Sequence, residues 1–197
     1  MDTMESEGYK ISLCTYRNKN KAYGDYNWVQ LDLESQTSVD NFISNLEPNY
    51  YSKIIMLPGN TLGNFKSFKD VPLDDLRFFY NAYSFNYIWV AQSCIEALAE
   101  DGHLVYMSSM AANTAIEDAH YSAVKASVQA FIKSISISLS GGRVAYSISP
   151  GLIYDTNAFD HSDYKGDISD LVTKEQIAQL ILDADSTYNG KVIEIGY

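Results

Sequence analysis

Tyr121 and Lys125 stand four residues apart in "AHYSAVKASVQAFIKS" (119–134), and they are the side chains here best placed to move a proton. On a helix, residues i and i+4 share one face a turn apart, so the Lys125 ammonium comes near the Tyr121 phenol. A free phenol ionises near pH ~10, and a neighbouring positive charge favours the phenolate. Such a tyrosine can give or take a proton nearer neutrality. Ser109, twelve residues before Tyr121, or Ser108 beside it, offers a hydroxyl that could hydrogen-bond the same substrate oxygen. That constellation suits carbonyl/alcohol chemistry. The pair alone carries little weight, because with 16 tyrosines roughly one Y-x-x-x-K is expected by chance. The alternative is a solvated Tyr and Lys, with Ser109 capping a turn.

The elements that must position these residues follow from the apolar pattern. "YKISLCTY" (9–16), "NWVQLDL" (27–33), "SKIIML" (52–57), "HLVYMSS" (103–109), "RVAYSISPG" (143–151) and "GKVIEIG" (190–196) read as strands. "SQTSVDNFISNL" (35–46) has helical spacing after a Ser or Thr cap. Residues 73–100 and 119–140 read as long helices, stopped by Asp101-Gly102 and Gly141-Gly142, and 173–185 as a third. Strands interleaved with helices imply crossovers and a mainly parallel sheet covered on both faces. Ligands of such sheets sit outside the carboxyl ends of the strands, where Ser108, Ser109, Pro150 and Gly151 are expected.

Composition narrows the class. The 197 residues suit one domain, 1–197, and 46% hydrophobic with 20% charged residues is ordinary for a globular chain. A net charge of −11 disfavours nucleic acid and an anionic membrane surface. The N-terminus "MDTMESEGYK" lacks a signal-peptide profile, and no apolar run approaches the ~18 residues of a membrane span. His103, His120 and His161 have no ligand-like spacing, so no metal is expected. Cys14 and Cys94 form no C-x-x-C and read as small buried hydrophobes. A cytoplasmic protein is the expectation.

From about residue 9 to 196 the chain resembles the short-chain dehydrogenase/reductase family. The resemblance rests on "VYMSSMAA" at a strand end, "YSAVKAS" twelve residues on, "SISPGLIYDT" after the next strand and "GKVIEIG" as closing strand. It implies an α/β, Rossmann-like, doubly wound sheet, an NADP or NAD cofactor, and hydride transfer at a carbonyl or alcohol. Carried over, Tyr121 is the acid/base. Lys125 lowers its pKa and holds the nicotinamide ribose. Ser109 orients the substrate oxygen, and Pro150 and Gly151 flank the cofactor. Asp32 matches an acidic residue that meets the adenine amine, with a helix N-cap or solvated strand end as the alternative. Arg17 sits where a positive charge would meet a 2′-phosphate, favouring NADP over NAD, with a plain surface arginine as the alternative. The loop through Leu152, Ile153, Tyr154, Phe159 and Tyr164 falls at the family's substrate lid. Helices 73–100 and 119–140, with Phe78, Phe79, Tyr83 and Trp89, match those that pair in family dimers, so a homodimer or homotetramer is expected, with core packing as the alternative for some of these aromatics.

The chain also departs from the family. No stretch offers the T-G-x-x-x-G-x-G cofactor turn, and "GNTLGN" (59–64) follows the wrong strand. The N-terminal residues resemble the tail of the family's first helix. The domain therefore reads as N-terminally incomplete, starting about twenty to thirty residues late and lacking a central strand of the order 3-2-1-4-5-6. The strands beside that slot would pair directly, or a partner would fill it, or the native start lies upstream. "LPGN" (57–60) replaces the family's N-N-A-G, and its helix asparagine falls at Tyr83, with Asn81 and Asn86 out of register. Rival readings are a catalytically degenerate binding or regulatory protein, and a subunit completed by a partner chain.

Overall fold

The computed structural model describes residues 12–15, 27–57, 68–114, 116, 118–160, 162 and 164–196. Strand β1 (Ser12–Thr15) pairs in parallel with β2 (Asn27–Gln30), Ser12 opposite Asn27. A second parallel sheet runs in the order β3 (Tyr51–Met56), β4 (Leu98–Met107), β5 (Val144–Pro150), β6 (Val192–Ile195). Among the described residues β1 and β3 do not pair, so direct pairing of these two strands is not the arrangement adopted.

Helices interleave with the strands. Helix α1 (Gln36–Ser44) follows β2. Helix α2 (Leu73–Tyr80) runs through a π-helical turn, Asn81–Asn86, into α3 (Tyr87–Ala97). Helix α4 (Ala119–Ile135) precedes β5, and the short α5 (Asn157–Asp160) and α6 (Lys174–Asp183) lead to β6. This is the Rossmann-like α/β architecture expected from the strand–helix alternation. None of the described helices is long and apolar enough to cross a membrane.

The two faces of the sheet build two cores, as the period-2 alternation of β4 requires. Leu104 and Tyr106 face Tyr87, Val90 and Cys94 of α3 and Val128 and Ile132 of α4. Val105 and Met107 pack with Tyr146 and Ile148 of β5 and Ile177 and Ile181 of α6. All seven residues of β5 are buried, which is why it reads as a continuous run rather than an alternating one. Cys94 is buried, as its apolar setting suggests.

Two helix ends differ from the sequence pattern. The helix read through residue 100 stops at Ala97, and Leu98, wholly buried, turns extended and opens β4. The freed carbonyls of Glu96 and Ala97 accept from Asn49 N (3.0 Å) and Tyr50 N (2.9 Å), and Arg143 Nε donates to Leu98 O (3.1 Å). Partners supplied by distant segments end the helix before its glycine does. Helix α4 likewise ends at Ile135 and tightens into a 3₁₀ turn, Ser136–Ser138, whose Ser136 carbonyl accepts from Asn189 Nδ2 at 3.1 Å.

Candidate active site

The site grows from the carboxyl end of β4. Ser108 N donates to Ile148 O (2.7 Å), continuing the ladder to β5 for one more residue. Ser109 is extended (φ −159, ψ 154), and its Oγ accepts from Ala111 N (3.2 Å), capping the 3₁₀ turn Met110–Ala112. The same side chain lies near enough to the Tyr121 phenol to favour its ionised form. Ser109 therefore caps a turn, one of the two readings the sequence left open, and lies beside Tyr121. The turn is tied down by Asn113, whose Nδ2 donates to Ser149 Oγ (3.3 Å) and Glu194 Oε1 (3.1 Å). Gln129 Nε2 donates to Asn113 Oδ1 (2.8 Å), joining α4 to the same knot.

Helix α4 presents the other two residues. Asp118 caps it by accepting from Tyr121 N (2.9 Å), which places Tyr121 in the first turn and Lys125 one turn on. Lys125 is 4% exposed. Its Nζ donates to Met107 O (3.0 Å) and to the more distant Ser108 O (3.5 Å). The ammonium lies 5.5 Å from the Tyr121 ring centroid and 5.6 Å from that of Tyr106. Ser109, Tyr121 and Lys125 thus converge at one strand end.

The electrostatics run opposite to the sequence expectation. Burial pulls Lys125 down from 10.5 to about 7. Burial also raises Tyr121, the Ser109 side chain works against it, and the Asp118 charge adds to the rise. Tyr121 therefore does not show the lowering expected from Lys125: burial is the largest influence on both groups. Near neutral pH, Tyr121 stays a phenol while Lys125 is poised to gain or lose a proton.

The remaining expected residues lie at three places. Pro150 ends β5 opposite Ile195, and Gly151 N donates to Ile195 O (2.9 Å). A Cβ on Gly151 would lie 2.0 Å from Gly196 O, so the packing of the β5 turn on β6 itself demands glycine. Asp32 follows β2, and its Oδ1 accepts from Glu34 N (2.8 Å). The cap of α1 is Ser35, not Asp32, and Asp32 lines a polar cleft with Gln30, Ser38 and Asn41. Arg17 lies outside the described residues, as do residues 58–67 with most of "LPGN".

Two residues have places the sequence reading did not give them, Asn86 having been noted there only as out of register. Asn86 is fully buried, its Nδ2 donating to Leu33 O (2.8 Å) while its Oδ1 has no partner among the described residues. Tyr83, aligned with the family asparagine, instead donates to Glu34 Oε1 (3.2 Å). The π-turn between them shifts the helix register, and no glycine or proline in the sequence marks it. The second is Tyr106, 1% exposed against Lys125, which a strand pattern reports only as an apolar position.

A family model described as enoyl-(acyl carrier protein) reductase matches residues 2–187. The chain belongs to the short-chain dehydrogenase/reductase family. Solved structures of this family share its fold at low identity. BdcA in complex with NADPH is 15% identical with a TM-score of 0.79, covering 98% of this chain and 85% of that one. A short-chain dehydrogenase from Burkholderia cenocepacia in complex with NADP is 16% identical with a TM-score of 0.77, over 98% and 89% of the two chains. Acetoin dehydrogenase from Enterobacter cloacae is 18% identical with a TM-score of 0.72, over 98% and 86%. No curated protein matches in sequence.

Family members are NAD(P)-dependent oxidoreductases, and the donors present at the β4 end suit the nicotinamide half of such a cofactor. Lys125 supplies a cationic donor, and the buried Ser108 Oγ has no hydrogen-bond partner among the described residues. For the pyrophosphate, the sequence has no three-glycine turn of the family's spacing.

Proposed function

We propose that this protein is an NADP(H)-dependent oxidoreductase of small carbonyl or alcohol substrates, acting through Tyr121, Ser109 and Lys125. The observation that carries this reading is the convergence of the three side chains at the end of β4, with Ser109 beside Tyr121 and Lys125 held on the Met107 carbonyl. In the reducing direction the Ser109 hydroxyl donates a hydrogen bond to the carbonyl oxygen and fixes it beside the Tyr121 phenol. Tyr121 keeps its proton until negative charge develops on that oxygen, then gives it up. Lys125, poised near neutrality, restores the lost proton to the site. A bound nicotinamide supplies the hydride in this direction and accepts it in the other.

Binding assignments beyond this core follow the family. Lys125, Pro150 and Gly151 hold the nicotinamide side, Asp32 the adenine amine, and Arg17 a 2′-phosphate, which selects NADP over NAD. Two of the similar structures carry NADPH or NADP, which supports that choice. Tyr154 and Phe159, edge to face at 5.3 Å, form the candidate substrate lid with Tyr164. Phe79 is core, whereas Phe78, Phe85 and Trp89 are 52%, 62% and 43% exposed along α2–α3, a face suited to a homodimer or homotetramer. Sedimentation of the wild type tests that assembly: a monomer at micromolar concentration removes it. The single domain spans 1–197, with a cytoplasmic setting.

The missing glycine turn favours one second reading, a binding or regulatory protein that keeps the fold without turnover. Fluorescence titration with NADPH and NADH separates the two. The oxidoreductase reading expects NADPH to bind more tightly than NADH. If neither binds at millimolar concentration, catalysis by this chain is untenable.

A further inference from the structure

Lys125 is buried against two aromatic rings, and only one of them belongs to the catalytic set. Its Nζ stands 5.5 Å from the Tyr121 centroid and 5.6 Å from the Tyr106 centroid, near the distance at which a ring quadrupole attracts a cation. The Tyr106 ring is itself fixed. It is 1% exposed and packs edge-on against the Tyr87 ring at 5.5 Å. On the sheet it is flanked by Met56 of β3 and by the small Ser147 of β5, which leaves room for the ring over the strand end. Tyr106 sits one residue before Met107, whose carbonyl accepts from Lys125 Nζ at 3.0 Å. The strand that offers the carbonyl therefore also offers the ring.

We infer that Tyr106 is a positioning residue for Lys125: with Tyr121 it forms a two-sided aromatic sleeve that holds the Nζ at the Met107 carbonyl and favours its ammonium form in a dry site. This rests on the oxidoreductase reading for its functional meaning, but not for its physics. A buried ammonium loses hydration, and two ring faces return part of that loss. Tyr106 itself stays neutral, because burial pushes its phenol far above the ordinary range. Among the described residues, the titratable groups whose rings face Lys125 are Tyr121 on its own helix and Tyr106 on β4. Tyr87 of α3 stands behind Tyr106, and Asp118 at the cap of α4 acts on Tyr121.

The test is the titration midpoint of Lys125, read by NMR on protein labelled at the lysine ε-position, beside the pH profile of NADPH-dependent turnover. Tyr106→Phe keeps the ring and leaves the midpoint where it is. Tyr106→Leu removes the ring and lowers the midpoint by about one unit, the shift that one desolvated cation–π contact implies. Should the leucine variant not fold, phenylalanine carrying one, two or three ring fluorines at position 106 preserves the shape while draining the ring's negative face. The midpoint then falls stepwise with fluorination. A midpoint indifferent to fluorination, in an enzyme that does turn over NADPH, overturns the inference and leaves the oxidoreductase reading standing. A midpoint that falls with fluorination in a protein without turnover does the reverse.

Discussion

Replacing Lys125 by methionine should stabilise the protein at neutral pH while removing its catalysis. The drop from 10.5 to about 7 on burial corresponds to about 5 kcal/mol between the two protonation states. Because the folded value is the lower one, the unfolded chain holds the proton between those two values and the folded chain does not. Stability therefore rises with pH across this window, by about 1.4 kcal/mol per unit, and the cost is complete below pH ~7. Methionine has similar length and no charge to desolvate, but it leaves Met107 O without the donor now at 3.0 Å, a loss of about 1–2 kcal/mol. A net gain of about 2–3 kcal/mol at pH 7 is expected, shrinking to about zero near pH ~9 and reversing by pH ~10 as the lost hydrogen bond comes to dominate. Urea unfolding of wild type and variant at pH 7, 8 and 9.5 measures it, since groups common to both proteins cancel in the difference. The reasoning is refuted if Lys125→Met is less stable than wild type at pH 7 and the difference does not change with pH.

Other positions give independent checks. Gly151→Ala forces a methyl into the Gly196 carbonyl and should cost at least about 2 kcal/mol, seen as a lower thermal midpoint. His103 is buried against the Tyr146 ring, and burial, with Lys53 nearby, lowers its pKa. Its contribution is present above the unfolded value of 6.5 and is lost as pH falls below it, so the wild type should weaken between pH 7 and 5 more steeply than His103→Gln.

What could be read from the sequence, and what could not, divides along physical lines. The six strands among the described residues, and the helices between them, follow from local patterns, because apolar periodicity records which face a residue buries. Ser109, Tyr121 and Lys125 were legible because their spacing along a strand, turn and helix is enough to bring them together. The end of α3 at Ala97 was not legible, since Asn49 and Tyr50 accomplish it from another part of the chain. The π-turn at Asn81–Asn86 has no local signature either, and with it went the buried Asn86. The direction of the Tyr121 shift was misjudged because spacing reports proximity and not dryness. A lysine four residues away lowers a phenol in water, whereas at 4% exposure the burial of both groups decides the outcome. Tyr106 was missed for a related reason, as the strand pattern shows that it is buried but not against what.

The most direct test compares wild type and Tyr121→Phe in NADPH oxidation with a panel of small carbonyl compounds, alongside NADPH binding by fluorescence. The account predicts turnover by the wild type, a loss of about a thousandfold in kcat for the variant, and an NADPH Kd unchanged within about twofold. Tyr121→Phe that turns over at the wild-type rate would contradict it.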